Sequence, residues 1–264
     1  MRLNNKKPKN LETALAIETE TPPMLIPTEA IILNRIKYTD NSFVVNMFSE
    51  ACGKISVLAR TSTRKAGQKA NIFAPLNIVR TELRLKDTRS VQGISYCELV
   101  KSPTAIDSDV VKICISQFIA EVIMKMVKEE EQNQALYQFF KSTIEAIEVS
   151  DSNIVNLHII FLKDFARHLG FEITNNYCNE TPYFNSREGM FLPFFTSEEE
   201  SFDKQLSFAF STILSASYET GNMKIPYAYR KEIIRQMLEY YKIHTENLSE
   251  IKSLKVLNEV FGND

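Results

Sequence analysis

The amino-acid sequence predicts an α+β fold in which a small five-stranded β-barrel precedes a bundle of α-helices. From Met24 onward, short runs rich in Ile, Val and aromatic residues alternate with turn-forming residues, which is typical of antiparallel strands. Beyond Pro103, apolar residues recur every three or four positions, the period of amphipathic helices. Residues 24–100 hold eleven basic and six acidic residues, a net +5, whereas residues 101–264 carry −8. This asymmetry indicates a module that faces nucleic acid or membrane, joined to a second part.

Five segments supply the strands of the predicted barrel. Asn41 and Ser42 belong to a turn between the first two strands, and Gly53 makes a tight connection to the third. Leu83 and Leu85 alternate with charged residues, the pattern of a half-buried strand. Five short strands with a long polar loop after the third favour an OB-fold, although an SH3-like barrel explains the pattern nearly as well. The predicted strands cover residues 28–38, 43–50, 54–60, 75–86 and 91–99.

Six helices are predicted after the barrel. Ser108 is a possible cap for the first and Asn133 for the second, and Gly170 ends the third at its C′ position. The predicted helices cover about residues 111–126, 136–147, 154–169, 206–217, 229–244 and 249–261.

The predicted organisation has three parts. Residues 1–23 lack periodicity and are expected to form a flexible N-terminal extension. Residues 24–101 form the barrel, and residues 102–264 form the helical domain. A small loop-rich lobe, at about 171–196, is inserted between the third and fourth helices.

The four cysteines are isolated from one another, and no apolar run approaches the roughly 18 to 20 residues that span a bilayer. Isolated cysteines suit reduced thiols. We therefore expect a cytoplasmic protein that does not bind membranes.

The sequence has none of the catalytic or cofactor-binding motifs that define common enzyme classes. A phosphate-binding G-x-x-x-x-G-K-[ST] loop, a G-x-S-x-G nucleophile turn and an H-E-x-x-H helix are all absent. His158 and His168 lie about 15 Å apart along one predicted helix, too far to share a metal. A hydrolase with Cys178 as nucleophile and His168 as base is a remaining alternative. We predict that the protein is not an enzyme and uses no cofactor.

A long stretch from Ala51 to Thr81 contains basic residues but no Asp or Glu. Cations that converge on one side of a small barrel bind nucleic acid chiefly by neutralising phosphates. Neighbouring aromatic residues, among them Tyr38 and Tyr96, are of the kind that stack on bases, whereas Phe43 and Phe48 are expected to pack inward. The alternative is a protein-interaction scaffold whose basic barrel docks an acidic protein partner. The predicted DNA-binding residues are Lys54, Arg60, Arg64, Lys65, Lys69 and Arg80, with Arg35 and Arg84 as weaker candidates.

Several of these segments resemble the bacterial RecO family of DNA repair and recombination mediators. The resemblance begins with the aliphatic strand at 31–33, the Tyr-Thr-Asp-Asn-Ser turn at 38–42 and the Phe-Ser-Glu step at 48–50. It continues with Gly-Lys at 53–54 and His-Leu-Gly-Phe at 168–171. The C-terminal segment adds Tyr240, Tyr241, His244 and Lys-Ser-Leu at 252–254. The ordered set extends from Met24 to Phe261.

The resemblance implies a DNA-binding mediator without catalytic activity. Members of the family bind single- and double-stranded DNA, anneal complementary strands and contact the acidic tail of single-stranded DNA-binding protein. With RecR they help to load RecA onto coated single strands. Many relatives hold zinc with four cysteines in the inserted lobe, but this chain has only Cys178 there. We therefore predict no metal, and expect Tyr183, Phe184 and Phe191 to pack the lobe instead.

A second, smaller basic cluster lies in the C-terminal helices. It is a candidate site for an acidic partner tail, or else a solvated helix face. On the same helix, Tyr241 is expected inside and Tyr240 nearer the surface. The predicted partner-binding residues are Arg230, Lys231, Arg235 and Lys242.

Overall fold

The computed structural model describes residues 22–60, 72–86, 89–103, 109–128, 131–150, 154–221, 223–245 and 248–262. The described residues begin with five strands: β1 Met24–Thr39, β2 Ser42–Ser49, β3 Gly53–Arg60, β4 Ile78–Leu85 and β5 Gln92–Lys101. They close into a barrel in the order β1-β2-β3-β5-β4, in which β3 and β5 are parallel and the other pairs antiparallel. A five-stranded barrel of this order is an OB-fold, which confirms the predicted fold class.

Alternate residues of each strand fill the barrel. Ile32, Val45, Met47 and Val57 are fully buried in its interior, as the period of two requires. Phe43 packs against the same core, as predicted. Phe48 is buried on the outer face instead, against Phe140 of the helical part, with ring centroids 5.2 Å apart.

In the part of the chain that the structure describes, six helices follow the barrel: α1 Val110–Met126, α2 Gln134–Val149, α3 Leu157–His168, α4 Lys204–Leu214, α5 Tyr227–His244 and α6 Ser253–Phe261. Asn133 caps α2 as predicted, because its side chain accepts a hydrogen bond from the Leu136 amide. Asp109 caps α1, and the proposed cap Ser108 lies outside the described residues. Gly170 ends α3 with a φ of +87°, a conformation that favours glycine. Within the described residues, no helix is long and apolar enough to cross a membrane.

The loop-rich insert contains a short hairpin formed by β6 Tyr183–Asn185 and β7 Met190–Leu192. Its core is aromatic, since Phe184 contacts Phe191 at 5.2 Å and Phe210 of α4 at 4.6 Å between ring centroids. In the described part of the chain, no cluster of three or more His, Cys, Asp or Glu side chains is arranged to hold a metal ion.

Both tyrosines of the Tyr240-Tyr241 pair are buried, so the prediction that Tyr240 lies nearer the surface is wrong. Tyr241 donates to the Leu162 carbonyl at 2.5 Å, and Tyr240, 3% exposed, donates to the Phe171 carbonyl at 3.0 Å. The insert covers Tyr240, because Gly189 packs so closely that a Cβ there would lie 2.7 Å from the Tyr240 hydroxyl. The helical pattern of α5 alone does not reveal this cover.

Candidate nucleic-acid interface

The outer face of β1, β2 and β3 has three parts along the strands, which differ in what they contact. At one end, Phe48 and its cross-strand partner Lys54 contact the helical bundle. In the middle, Asn46 donates to Asn34 and accepts from Ser56, each at 2.6 Å, which forms a hydrogen-bonded row across the three strands. The opposite end of the face is open to solvent.

At this open end, one row of paired residues crosses four strand boundaries. Ile36 pairs with Val44, and Val44 pairs with Leu58. Leu58 pairs with Gly93 of β5, which in turn pairs with Arg84 of β4. An apolar strip of Ile36, Val44 and Leu58 therefore runs up to the Arg84 side chain. We call these three residues the apolar strip.

A cleft opens beside this row, where β3 and β5 separate. Their pairing ends at Leu58 and Gly93, although both strands continue. The cleft encloses about 660 Å³, and we call it the barrel cleft. Tyr38 and Tyr96 line it with 69% and 44% of their surface exposed, and none of its described lining residues is acidic. Its basic lining residues are Arg60, Arg84, Lys86 and Arg89.

A glutamine side chain organises the loop between β4 and β5, which carries two of these cations. The Lys86 amide donates to the Gln92 Oε1 at 2.8 Å, while the Gln92 amide nitrogen donates to the carbonyl oxygens of Lys86 and Arg89. The Arg89 amide also donates to the Lys86 carbonyl at 3.0 Å. These bonds fix the backbone on both sides of the loop and hold Lys86 and Arg89 beside the cleft.

The eight predicted DNA-binding residues are placed differently from one another. Arg60 and Arg84 line the barrel cleft, and within the described residues neither has a carboxylate at ion-pair distance. Arg35 lies over the Phe43 ring, 5.7 Å from its centroid, and is not part of the cleft lining. The remaining candidates outside the described residues are Arg64, Lys65 and Lys69.

Lys54 is directed away from the cleft. Its Nζ donates to the carbonyl oxygens of Met124, at 3.4 Å, and Val127, at the C-terminal end of α1. The C-terminal end of a helix carries partial negative charge, so an ammonium group is stabilised there. Lys54 therefore joins the barrel to the bundle.

Arg80 is held between two carboxylates on the outer face of the barrel. Its guanidinium lies 3.1 Å from Glu29 and 3.0 Å from Glu98, and hydrogen bonds from these two residues raise its pKa. Lys141 of α2 also contacts Glu29, at 3.4 Å. The charge of Arg80 is therefore locally compensated, whereas no carboxylate among the described residues lies at ion-pair distance from Arg60.

Lys86 and Arg89 were not among the predicted site residues. The prediction followed the acid-free stretch that ends at Thr81, whereas Asp87 interrupts the later basic segment. The signal that identifies them is topological, because the β4–β5 loop of an OB-fold flanks its ligand-binding face.

The basic cluster on α5 is largely engaged within the protein. Arg230 is buried, and its guanidinium lies 5.4 Å from the Phe261 ring centroid. Arg235 donates to both oxygens of Glu232, and Lys242 donates to Glu239 at 2.6 Å. Among these four predicted partner-binding residues, Lys231 is exposed without a described ion pair.

A separate apolar groove lies between α4 and the segment that leads into α5. It encloses about 540 Å³, and Phe208, 61% exposed, stands at its surface. Tyr229 donates to Gln205 at 2.7 Å within the groove wall. Two lysines, Lys204 and Lys224, flank it, and none of its described lining residues is acidic. We call this site the α4–α5 groove; its apolar residues are Phe208, Ala209, Met223, Ile225 and Pro226.

The two residues of the hydrolase alternative have separate environments. Cys178 is exposed, and its Sγ lies 3.1 Å from the Thr181 hydroxyl. His168 stacks on Phe139 with ring centroids 4.4 Å apart, and burial lowers its pKa. Within the described residues, no hydrogen bond joins the two side chains of this alternative, so the geometry does not support a nucleophile–base pair.

Fold and cleft together define an OB-fold protein with a helical second part and a cationic, tyrosine-lined face. The chain belongs to the RecO family. The model of the family described as "Recombination protein O N terminal" matches residues 24–103, and that described as "Recombination protein O C terminal" matches residues 107–255. The family resemblance in the sequence is thereby confirmed.

Proteins named "DNA repair protein RecO" from several bacteria are similar over most of the chain. The protein from Azobacteroides pseudotrichonymphae is 30% identical over 240 residues, and that from Flavobacterium psychrophilum is 30% identical over 244 residues. The protein from Flavobacterium johnsoniae is 27% identical over 241 residues. Each match covers 90% of this chain and 100% of the relative. The chain is therefore a member of a family of DNA repair proteins.

Proposed function

We propose that this protein is a non-catalytic recombination mediator that binds single- and double-stranded DNA through the barrel cleft. One observation carries the proposal. The cleft brings four cations and two exposed tyrosines onto the face of the OB-fold that binds oligonucleotides in other proteins, with no acidic residue in its described lining.

The cleft supplies the two interactions that a flexible polyanion with exposed bases requires. Arg60, Arg84, Lys86 and Arg89 neutralise phosphates and release their condensed counterions. Tyr38 and Tyr96 offer rings for base stacking, which is tolerant of sequence because every base has a π-face. Neutralisation also reduces the repulsion between two complementary strands, so that base pairing drives annealing.

The proposed partners follow from membership of the family: RecR, the acidic tail of single-stranded DNA-binding protein and, indirectly, RecA. For the acidic tail, the α4–α5 groove is a better candidate than the predicted cluster on α5. Lys204 and Lys224 flank an apolar floor there, so that the two ammonium groups complement the carboxylates of an acidic tail and the floor offers it an apolar surface. Arg235 and Lys242, in contrast, already pair with acids of their own helix.

Binding of a fluorescent oligonucleotide tests the main proposal. We expect the double variant R60Q/R89Q to bind single-stranded DNA about tenfold more weakly than the wild type and to anneal complementary strands more slowly, because two phosphate contacts are lost. The matched control is R80Q, which removes a cation of the same barrel that is held by Glu29 and Glu98.

The same assay distinguishes DNA binding from the alternative function, a scaffold whose barrel docks an acidic protein. A labelled acidic peptide, titrated in parallel, is expected to bind the wild type through the α4–α5 groove and to be unaffected by R60Q/R89Q. If the protein binds the peptide through the barrel cleft and does not bind oligonucleotides, the scaffold function is correct and the DNA-binding proposal is wrong.

A further inference from the structure

We infer that Arg84 is a preset phosphate anchor in the barrel cleft, positioned by Gly93 and Ser95 of the neighbouring strand. The inference rests on the proposed function and specifies which residue of the cleft binds the phosphate backbone of single-stranded DNA. Three features of the cross-strand geometry support it.

The first feature is the space above Gly93. Arg84 and Gly93 are direct cross-strand partners on β4 and β5. A Cβ at residue 93 would lie 3.4 Å from the Cβ of Arg84 and 3.8 Å from its Cδ. The aliphatic part of Arg84 therefore lies over Gly93, where a Cβ would make ordinary van der Waals contact with it, and Arg84 belongs to the lining of the cleft.

The second feature is a hydrogen bond that fixes the guanidinium. The Arg84 Nε donates to the Ser95 hydroxyl at 2.7 Å, and that hydroxyl in turn donates to Glu82 at 3.4 Å. Glu82 thus polarises Ser95 while remaining outside ion-pair distance of Arg84 in the described structure. Ser95 therefore occupies the Nε–H, the donor of the guanidinium that lies nearest the aliphatic chain.

The third feature concerns the two terminal nitrogens of the Arg84 guanidinium, on the edge away from Ser95. Within the described residues, the two terminal nitrogens of Arg84 make no hydrogen bond. A guanidinium presents these nitrogens as a rigid fork that matches two oxygens of a phosphodiester. The fork is exposed at the rim of the cleft, beside the apolar strip.

Together these features place a fixed anion-binding group at the end of an apolar surface. A single strand that lies across the row can rest its bases on Leu58 and Val44 while one phosphate meets Arg84. Because the side chain is already held, less conformational entropy is lost on binding than for a free arginine. Ser95 is therefore a positioning residue, and Arg84 is the residue that contacts DNA.

A double-mutant cycle on Ser95 and Arg84 tests the inference. S95A retains every charge of the cleft, so the salt dependence of single-strand binding should equal that of the wild type. Its affinity should fall about threefold to tenfold, the range expected for the cost of immobilising one long side chain. In the R84K background, S95A should have no further effect, because lysine has neither the Nε–H that Ser95 holds nor the terminal fork that this hydrogen bond orients.

A second variant and a folding control complete the test. In G93V, the two γ-methyl groups extend beyond a Cβ that would already touch the Arg84 chain, so this variant should displace that chain and weaken binding in the same direction. Thermal unfolding of all variants shows whether the barrel remains intact. Equal affinity of S95A and wild type, or an equal loss in the R84 and R84K backgrounds, would overturn the anchor inference alone. A wild-type protein that binds no oligonucleotide would instead overturn the proposed function.

Discussion

The Nζ of Lys54 donates to the carbonyl oxygen of Val127, so that a side chain of β3 closes the C-terminal end of α1. Lys54, Ser56, Leu58 and Arg60 alternate along one face of β3, yet the bundle covers the first of them and leaves the last at the cleft. One strand face thus serves two purposes: one end attaches the barrel to the helices, and the other end faces solvent.

Replacing Lys54 should therefore affect stability more than DNA binding. K54M removes hydrogen bonds between a charged donor and helix-end carbonyls, each worth about 1.5 to 3 kcal/mol in favourable cases. We expect the free energy of unfolding in urea to fall by about 2 kcal/mol, with single-strand affinity within twofold of wild type. A K54M variant that is as stable as wild type but binds DNA poorly would show that Lys54 belongs to the interface.

Glu121 of α1 should make the protein sensitive to acid. Its carboxylate accepts hydrogen bonds from the amides of Lys252 and Ser253, at 3.0 and 2.8 Å, and so caps α6. Burial alone would raise its pKa, but the hydrogen bonds from Lys125, Ser253 and Lys252 outweigh burial and lower the pKa to about 2. Stability from this group is present above the ordinary pKa of 4.5 and is lost as the pH falls from there towards about 2.

Urea unfolding of E121Q across this pH range checks that expectation. At neutral pH the variant should be less stable than wild type by about 1 kcal/mol, the usual value of a helix cap. The difference should shrink as the wild-type carboxylate becomes protonated. E259Q, which changes an exposed glutamate of α6, is the matched control. A difference that is independent of pH would contradict the assigned role of Glu121.

His158 should contribute a second, separate pH dependence. It is fully buried between Phe118 and Phe261, with ring centroids 5.8 and 5.4 Å away. Burial, together with the nearby charge of Arg230, lowers its pKa to about 3. The unfolded chain takes up this proton near pH 6.5 and the folded protein does not, so stability falls as the pH drops from about 6.5 to 3.

H158F should remove that part of the pH dependence while keeping the aromatic packing. Unfolding free energies at neutral and mildly acidic pH, compared with those of the exposed control H244Q, measure the effect. If H158F and wild type lose stability in parallel between about pH 6.5 and 5, His158 is not responsible.

The sequence predicted the barrel and the helices because their cores follow simple periods. Leu83 lies inside the barrel and Gly170 ends α3, as alternation and glycine chemistry required. The start of β1 was missed by four residues. Met24 and Leu25 pair with Leu85 and Arg84 of β4 but are both exposed, so the alternation of buried and exposed residues starts only further along the strand.

The site was predicted less well, because charge along the chain does not specify what covers each residue. Spacing puts Lys54 and Arg60 on one face of a strand, but only the docked bundle separates their roles. Likewise, Arg80 and Arg84 are four residues apart on β4 and face the same way. The strand register places Glu29 and Glu98 on either side of Arg80. The same register places Gly93 beside Arg84.

The salt dependence of single-strand binding tests the central claim most directly. Each phosphate contact on single-stranded DNA contributes about −0.7 to the slope of log K against log salt, so the four described cations of the barrel cleft should contribute about −2.8. The slope of R60Q/R89Q should be shallower than that of wild type by about 1.4, whereas R80Q should keep the wild-type slope. A wild-type slope near zero, or one unchanged in R60Q/R89Q, would contradict the account.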